Sequence, residues 1–124
     1  MPIRIVVPTI SQKGLDDSLA QHFGRAPFFT TVDLNDSREV AGIKIFPNVG
    51  EHAGGRGHAH DNILDLQPNV IIVYGMGPRG LNTFHDAGIS VLKANASTVR
   101  EVIEAYKDSA LQVLAEGCQD AHHQ

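Results

Sequence analysis

The chain of 124 residues and 13.4 kDa has the length of one domain, so a second domain would need support from a clear break in the sequence. Its composition is 42% hydrophobic and 19% charged, which excludes a disordered chain and leaves enough apolar residues for one core. The net charge of -4 and the lack of any run of Lys or Arg argue against a nucleic-acid-binding surface.

The first half of the chain predicts three strands. Ile3–Val7 is a short apolar run rich in β-branched residues, and Pro8 is expected to end it. Phe28–Leu34 and Val40–Phe46 flank a turn of Asn, Asp and Ser at residues 35–38. These two strands are therefore predicted to pair as an antiparallel hairpin.

The second half of the chain predicts alternation of helix and strand, the pattern of parallel strands joined by crossover helices. The predicted strands are Val70–Tyr74 and Ile89–Leu92. The predicted helices are about His58–Leu66, a short helix around Leu81 and Phe84 that Gly88 closes, and a long helix from the Thr98–Glu101 capping box to Leu114.

The order β-β-β-α-β-α-β-α predicts an α/β fold with a five-stranded mixed sheet, strand order 3-2-1-4-5, and helices on both faces. Ligands of such sheets bind beyond the carboxyl ends of the parallel strands. We expect one domain over residues 1–115 and a flexible tail over residues 116–124. No apolar run approaches the roughly 20 residues of a membrane span, and no secretory signal is evident, so we predict a cytoplasmic protein.

Seven of the 12 glycines lie in two short loops. They are Gly50, Gly54, Gly55 and Gly57 in the first loop and Gly75, Gly77 and Gly80 in the second. Each loop leads into a predicted helix, whose free N–H groups and positive dipole end favour an anion. The alternative is that both loops are tight crossovers without a ligand.

Residues 75–80 also match the Gly-x-Gly-x-x-Gly pattern of dinucleotide-binding loops. A ribose-binding acidic residue is expected near the end of the next strand of a dinucleotide site, where Lys93, Ala94 and Asn95 stand instead. The segment also lacks the Gly-Lys-Ser/Thr of a Walker loop. The match is therefore incomplete, and a sensor of nucleotides or small anions is kept only as an alternative function.

Three groups of residues offer metal ligands. His22 lies in a loop beside Phe23 and Arg25, and it is either a solvated loop residue or a ligand. His52 and His58 belong to the first glycine-rich loop, but His58 and His60 are two residues apart and cannot share a helix face. No His-x-x-x-His motif is therefore present.

The third group is Cys118 with His122 and His123 in the tail. Because Cys118 is the single cysteine, an internal disulfide and a site of several thiolates from one chain are both excluded. The alternative for these residues is a polar tail without metal.

No catalytic apparatus is visible in the sequence. A nuclease of the ribonuclease H type needs carboxylates on its central strands, and neither Ile3–Val7 nor Val70–Tyr74 contains one. The sequence has no Gly-x-Ser-x-Gly elbow, and its cysteine lies in the tail rather than at a helix N-terminus. We predict that the protein is not an enzyme.

Three segments carry a resemblance to a known family. They are His-Phe-Gly-Arg-Ala-Pro-Phe at residues 22–28, His-Ala-Gly-Gly-Arg-Gly at residues 52–57, and Tyr-Gly-Met-Gly-Pro at residues 74–78, followed by Ala-Gly-Ile at residues 87–89. Over about residues 3–111 the chain resembles the dinitrogenase iron-molybdenum cofactor biosynthesis family. This family comprises NifX- and NafY-like carriers, and its domain also occurs at the end of NifB-type proteins.

The resemblance implies a ribonuclease-H-like three-layer fold without the nuclease carboxylates. It implies a non-enzymatic carrier that receives an iron-molybdenum cofactor, or its iron-sulfur precursor, from a donor protein and delivers it to an acceptor protein. The resemblance further implies that the histidine of the His-Phe-Gly segment, which is His22 here, is the cluster ligand. A partner-binding adaptor remains a further alternative.

Glycine N–H groups and arginines of the loops are expected to surround the exchangeable, anionic cluster. These residues are Gly24, Arg25, Gly54, Gly55, Arg56, Gly75, Gly77 and Arg79. The additional candidate ligands are His52, His58, Cys118 and His122.

Overall fold

The fold is built on one six-stranded sheet, in a computed structural model that describes residues 2–48 and 63–114. The strands are β1 (Ile3–Thr9), β2 (Phe28–Leu34), β3 (Val40–Pro47), β4 (Val70–Val73), β5 (Ser90–Lys93) and β6 (Gln112–Val113). The helices are α1 (Pro78–Asp86) and α2 (Val99–Lys107), and residues 63–65 are also helical.

The strand order is β3-β2-β1-β4-β5-β6, which confirms the mixed α/β sheet and the predicted order of its first five strands. β1 pairs in parallel with β4, and β4 with β5, whereas the remaining pairs are antiparallel. The β2–β3 turn is as predicted, because the Asn35 side chain accepts hydrogen bonds from the N–H groups of Ser37 and Glu39. The carboxyl ends of β1 and β4 therefore lie at the same edge of the sheet.

The prediction of five strands is wrong, because the chain after α2 returns to the sheet as β6. The predicted helix to Leu114 ends at Lys107. Ser109 then takes the left-handed conformation (φ 57°), its N–H bonds to the Tyr106 carbonyl, and the Ala110 N–H bonds to the Ala105 carbonyl. This pair of bonds is a Schellman motif, which ends helices most often at glycine. Because serine stands in that position, no glycine in the sequence marks the end of the helix.

The predicted end of β1 at Pro8 is also wrong, since the strand continues to Thr9. Proline lacks the N–H that a central strand donates. β1 pairs with β4 only at Ile5 and Val6, so Pro8 lies beyond the part of the strand with neighbours on both sides. There it pairs with Phe29 alone, and its own carbonyl accepts a hydrogen bond from Ala20.

Buried side chains cover both faces of the sheet, as predicted. On one face, Val6 and Ile71 belong to a cluster with Phe84 of α1 and Ile63 of the helical residues 63–65. On the other face, the strand residues Ile5, Val7 and Ile72 belong to one buried cluster with Val99, Val102 and Ile103 of α2. The start of the predicted helix His58–Leu66 and the predicted tail at residues 116–124 lie outside the described residues.

Among the residues that the structure describes, no helix is long and apolar enough to cross a membrane. The single-domain boundary at residue 115 stays a prediction.

Candidate functional site

Two loops that are far apart in sequence meet at the carboxyl ends of β1 and β4. They line one open cavity of about 460 Å³, here named the loop pocket. Its lining residues are Gln21, His22, Phe23, Gly24, Gly75, Met76, Gly77, Arg79 and Gly80. The His-Phe-Gly segment and the second glycine-rich loop therefore form one surface.

The chain that leads into His22 is held by backbone hydrogen bonds to two elements. The Leu19 N–H bonds to the Ser97 carbonyl at 2.9 Å, just before α2, and the Ala20 N–H bonds to the Pro8 carbonyl at 2.9 Å in β1. These bonds fix the start of the segment against the sheet edge. His22 follows in an extended conformation (φ -122°, ψ 121°) and is exposed.

Phe23, the residue directly after His22, is anchored in the core. Its side chain is only 6% exposed and lies with its ring centroid 5.6 Å from that of Phe29 and 5.8 Å from that of Phe84. The Phe84 contact is edge-to-face, an arrangement that stabilises aromatic pairs beyond the area they bury. The exposed His22 therefore directly precedes a residue that is packed in a buried aromatic cluster.

Asn48 holds the other end of the same segment, and sequence reasoning missed it. This side chain is 5% exposed, and its Nδ2 group donates to the carbonyls of Ala26 (2.8 Å) and Gly24 (3.4 Å). Its backbone N–H donates to the Pro27 carbonyl at 2.9 Å. The sequence offered no indication of this role, because Asn48 follows β3 and contacts residues more than 20 positions earlier.

The second loop ends in the N-terminus of α1. Gly77 occupies the N-cap position and Pro78 the first helical turn, and no side chain of the described residues caps the helix with a hydrogen bond. The first intrahelical bond runs from the Leu81 N–H to the Gly77 carbonyl at 3.1 Å. The N–H groups of Arg79 and Gly80 precede that bond, so they belong to the set without an intrahelical partner.

Three glycines of the loop pocket are not required by the backbone. At Gly24, Gly75 and Gly77, an added Cβ would meet no other atom within 4 Å, and none has a left-handed φ. Gly88 differs, because its φ of +80° favours glycine whatever space surrounds it. The fold alone would therefore accept side chains at the three pocket positions.

The charged groups of the loop pocket favour an anion. Arg79 lies on its wall, and no Asp or Glu occurs among the lining residues within the described part of the chain. Arg25, which was also predicted to bind a cluster, is exposed but is not among the residues that line the pocket. Within residues 2–48 and 63–114, no group of three or more His, Cys, Asp or Glu side chains is close enough to hold a metal ion.

The remaining predicted site residues lie outside the described residues. They are Gly54, Gly55, Arg56, His52 and His58 of the first glycine-rich loop, and Cys118 and His122 of the tail. Their roles stay predictions.

The profile of the dinitrogenase iron-molybdenum cofactor family matches residues 4–109. The chain belongs to this family. This confirms the resemblance carried by the His-Phe-Gly and glycine-rich segments. Over 100 residues the chain is 31% identical to an uncharacterized protein of Methanocaldococcus jannaschii, covering 78% of this chain and 83% of that protein.

Solved structures show the same fold at lower identity. The apo form of the orange protein from Desulfovibrio gigas has a TM-score of 0.76 and 24% identity, covering 90% of this chain and 92% of that one. A candidate NifB protein from Thermotoga has a TM-score of 0.71 and 20% identity, with the same coverage of 90% and 92%. At these identities the likeness establishes the fold alone.

Proposed function

We propose that this member of the cofactor family binds an anionic metal–sulfur cluster, of the iron-sulfur or iron-molybdenum type, in the loop pocket. It receives the cluster from a donor protein in the cytoplasm and releases it to an acceptor protein, without catalysing a reaction. The sheet order and the absence of acidic residues from β1 and β4 support a ribonuclease-H-like fold that lacks the metal-binding carboxylates of a nuclease.

The observation that carries this proposal is the set of pocket glycines. Gly24, Gly75 and Gly77 have ordinary backbone conformations and open space where a Cβ would be, so intramolecular packing does not account for them. A bulky ligand that contacts the backbone does account for them, because any side chain there would occupy the ligand's volume. The glycines come from both loops, which indicates one ligand between the loops.

The other groups of the pocket suit a ligand that is held and later released. His22 offers one imidazole, Arg79 one guanidinium, and the first turn of α1 offers N–H groups and the positive end of its dipole. One imidazole with diffuse positive charge binds a cluster less firmly than four thiolates would. Such a site favours exchange between proteins over permanent storage.

The experiment is anaerobic loading of the purified protein with ferrous iron, sulfide and a reducing thiol, followed by measurement of bound iron and visible absorbance. The wild-type protein is expected to gain both. His22→Ala is expected to retain about tenfold less iron than the parent, or lower still, because it removes the proposed ligand. His85→Ala is the matched control, since His85 is an exposed histidine on α1 that does not line the loop pocket.

Equal iron in the parent protein and His22→Ala would show that His22 is not the ligand.

The competing function, a nucleotide or small-anion sensor, is tested by thermal unfolding with nucleotides and inorganic phosphate. A bound nucleotide at 100-fold excess over Kd would stabilise the protein by about 2.7 kcal/mol. Such a shift in a protein that acquires no iron would favour the sensor.

A further inference from the structure

Met76 lies between the two glycines of the second loop and lines the loop pocket together with His22. Its side chain is half-buried and packs against the buried cluster that contains Phe23 and Phe84. Part of the side chain is therefore held on the core, while the exposed part contributes to the pocket wall. A flexible side chain held in this way loses less conformational freedom when it binds a ligand.

The thioether of methionine is a soft, polarisable donor, and soft sulfur ligands are among those preferred by iron-sulfur clusters. His22 and Met76 come from the two loops and line the same pocket, and the two glycines beside Met76 have open space where a Cβ would be. We infer that the Sδ atom of Met76 is a second protein ligand of the cluster, in addition to His22. This inference rests on the proposed function, and it adds a ligand to the same site.

The binding step is a simple ligand exchange. Sδ donates a lone pair to one iron of the cluster, and the thiolate that occupied that iron in solution leaves and is protonated by water to the free thiol. No electron is transferred, and no bond of the protein is broken. Neutral thioether ligation is weaker than thiolate ligation, which suits release to an acceptor whose cysteines supply thiolates.

The chain contains only two methionines, Met1 and Met76, which makes the inference directly measurable. Selenomethionine labelling places selenium at these two positions alone. The labelled protein is loaded anaerobically with ferrous iron, sulfide and a reducing thiol, and selenium-edge X-ray absorption is recorded. An iron neighbour of selenium is expected in the loaded protein and not in labelled Met76→Leu, which retains selenium only at position 1.

Retained iron provides the second measurement. Leucine is close to methionine in volume and keeps the packing against the aromatic cluster, so Met76→Leu is expected to unfold at nearly the parent temperature. The iron that it retains is nevertheless expected to be about tenfold lower than in the parent, which is the size of effect seen when groups that support a metal site are removed. A variant that both folds and retains iron like the parent would contradict a role for the sulfur.

The outcomes separate this inference from the proposed function. A wild-type protein that acquires no iron would overturn both. A wild-type protein that acquires a cluster but shows selenium without an iron neighbour would overturn the Met76 assignment alone. Loss of iron in His22→Ala, with the iron neighbour of selenium still detectable in the remaining loaded fraction, would support two independent ligands.

Discussion

At the residue scale, the loop pocket depends on neighbours with opposite environments. His22 is exposed, and the adjacent Phe23 is buried between two other aromatic rings. Asn48 adds hydrogen bonds to the carbonyls of Gly24 and Ala26. The exposed residue thus has a defined backbone position, although its own side chain remains available to a ligand.

The pocket glycines provide a test that separates ligand binding from stability. Gly75→Ala is expected to leave the free energy of unfolding unchanged or to raise it by about 0.4–1 kcal/mol, because alanine restricts the unfolded chain and meets no atom in the folded one. The same change is expected to lower retained iron, since the methyl group occupies the ligand's volume. Denaturant unfolding and anaerobic iron binding measure the two effects.

Gly24→Ala is a second variant of the same kind, on the opposite loop. If both alanine variants bind as much iron as the parent, the glycines do not contact a cluster. If either variant unfolds much more easily, the glycine has a structural role in the loop instead.

At the element scale, both helices end in the same hydrogen-bonded motif with different residues in the left-handed position. After α1, the Gly88 N–H bonds to the His85 carbonyl and the Ile89 N–H to the Phe84 carbonyl. After α2, Ser109 takes the position of Gly88, with φ 57° against φ 80°. A non-glycine residue in this conformation costs about 1–2 kcal/mol.

Exchanging these residues should change stability in opposite directions. Ser109→Gly is expected to raise the free energy of unfolding by about 0.5–1 kcal/mol, because relief of the left-handed strain outweighs the greater freedom of glycine in the unfolded chain. Gly88→Ala is expected to lower it by about 1 kcal/mol or more. Urea unfolding of the two variants measures both changes. Equal stability in all three proteins would show that the two turns carry no strain.

At the scale of the whole molecule, the sheet separates two cores, and the aromatic contacts of the loop pocket come from one of them. Phe84 contacts Phe23, which lines the pocket, whereas Ile103 of α2 lies in the cluster on the other face. Both side chains are buried, with exposures of 0% and 1%. Damage around Phe84 should therefore reach the pocket more directly than damage around Ile103.

Phe84→Ala and Ile103→Ala test this separation. Each is expected to lower the free energy of unfolding by about 2–5 kcal/mol, because each leaves a cavity in a packed core. At a temperature where both variants remain folded, only Phe84→Ala is expected to lose bound iron, since the contact that fixes Phe23 is removed. Equal iron loss in both variants would mean that general destabilisation, rather than support of the pocket, controls binding.

Local patterns in the sequence determined most of the elements. Apolar runs predicted the five longer strands, the Thr98–Glu101 capping box predicted the start of α2, and Gly88 predicted the end of α1. These features act within a few residues, where propensity and capping decide the conformation. The alternation of elements then predicted the order of five strands, because crossover connections permit few topologies.

Tertiary contacts alone decided the rest. The sixth strand exists because Gln112 and Val113 pair with β5 after a turn at Ser109 that no glycine marks. From the predicted strand order and the family resemblance, we expected His22 and the glycine-rich segment at residues 75–80 to surround one cluster. Their union in one pocket depends on the parallel pairing of β1 with β4, which places both carboxyl ends at one edge. No local sequence pattern encodes such long-range packing, because it depends on how distant strands pair when both faces of the sheet are buried.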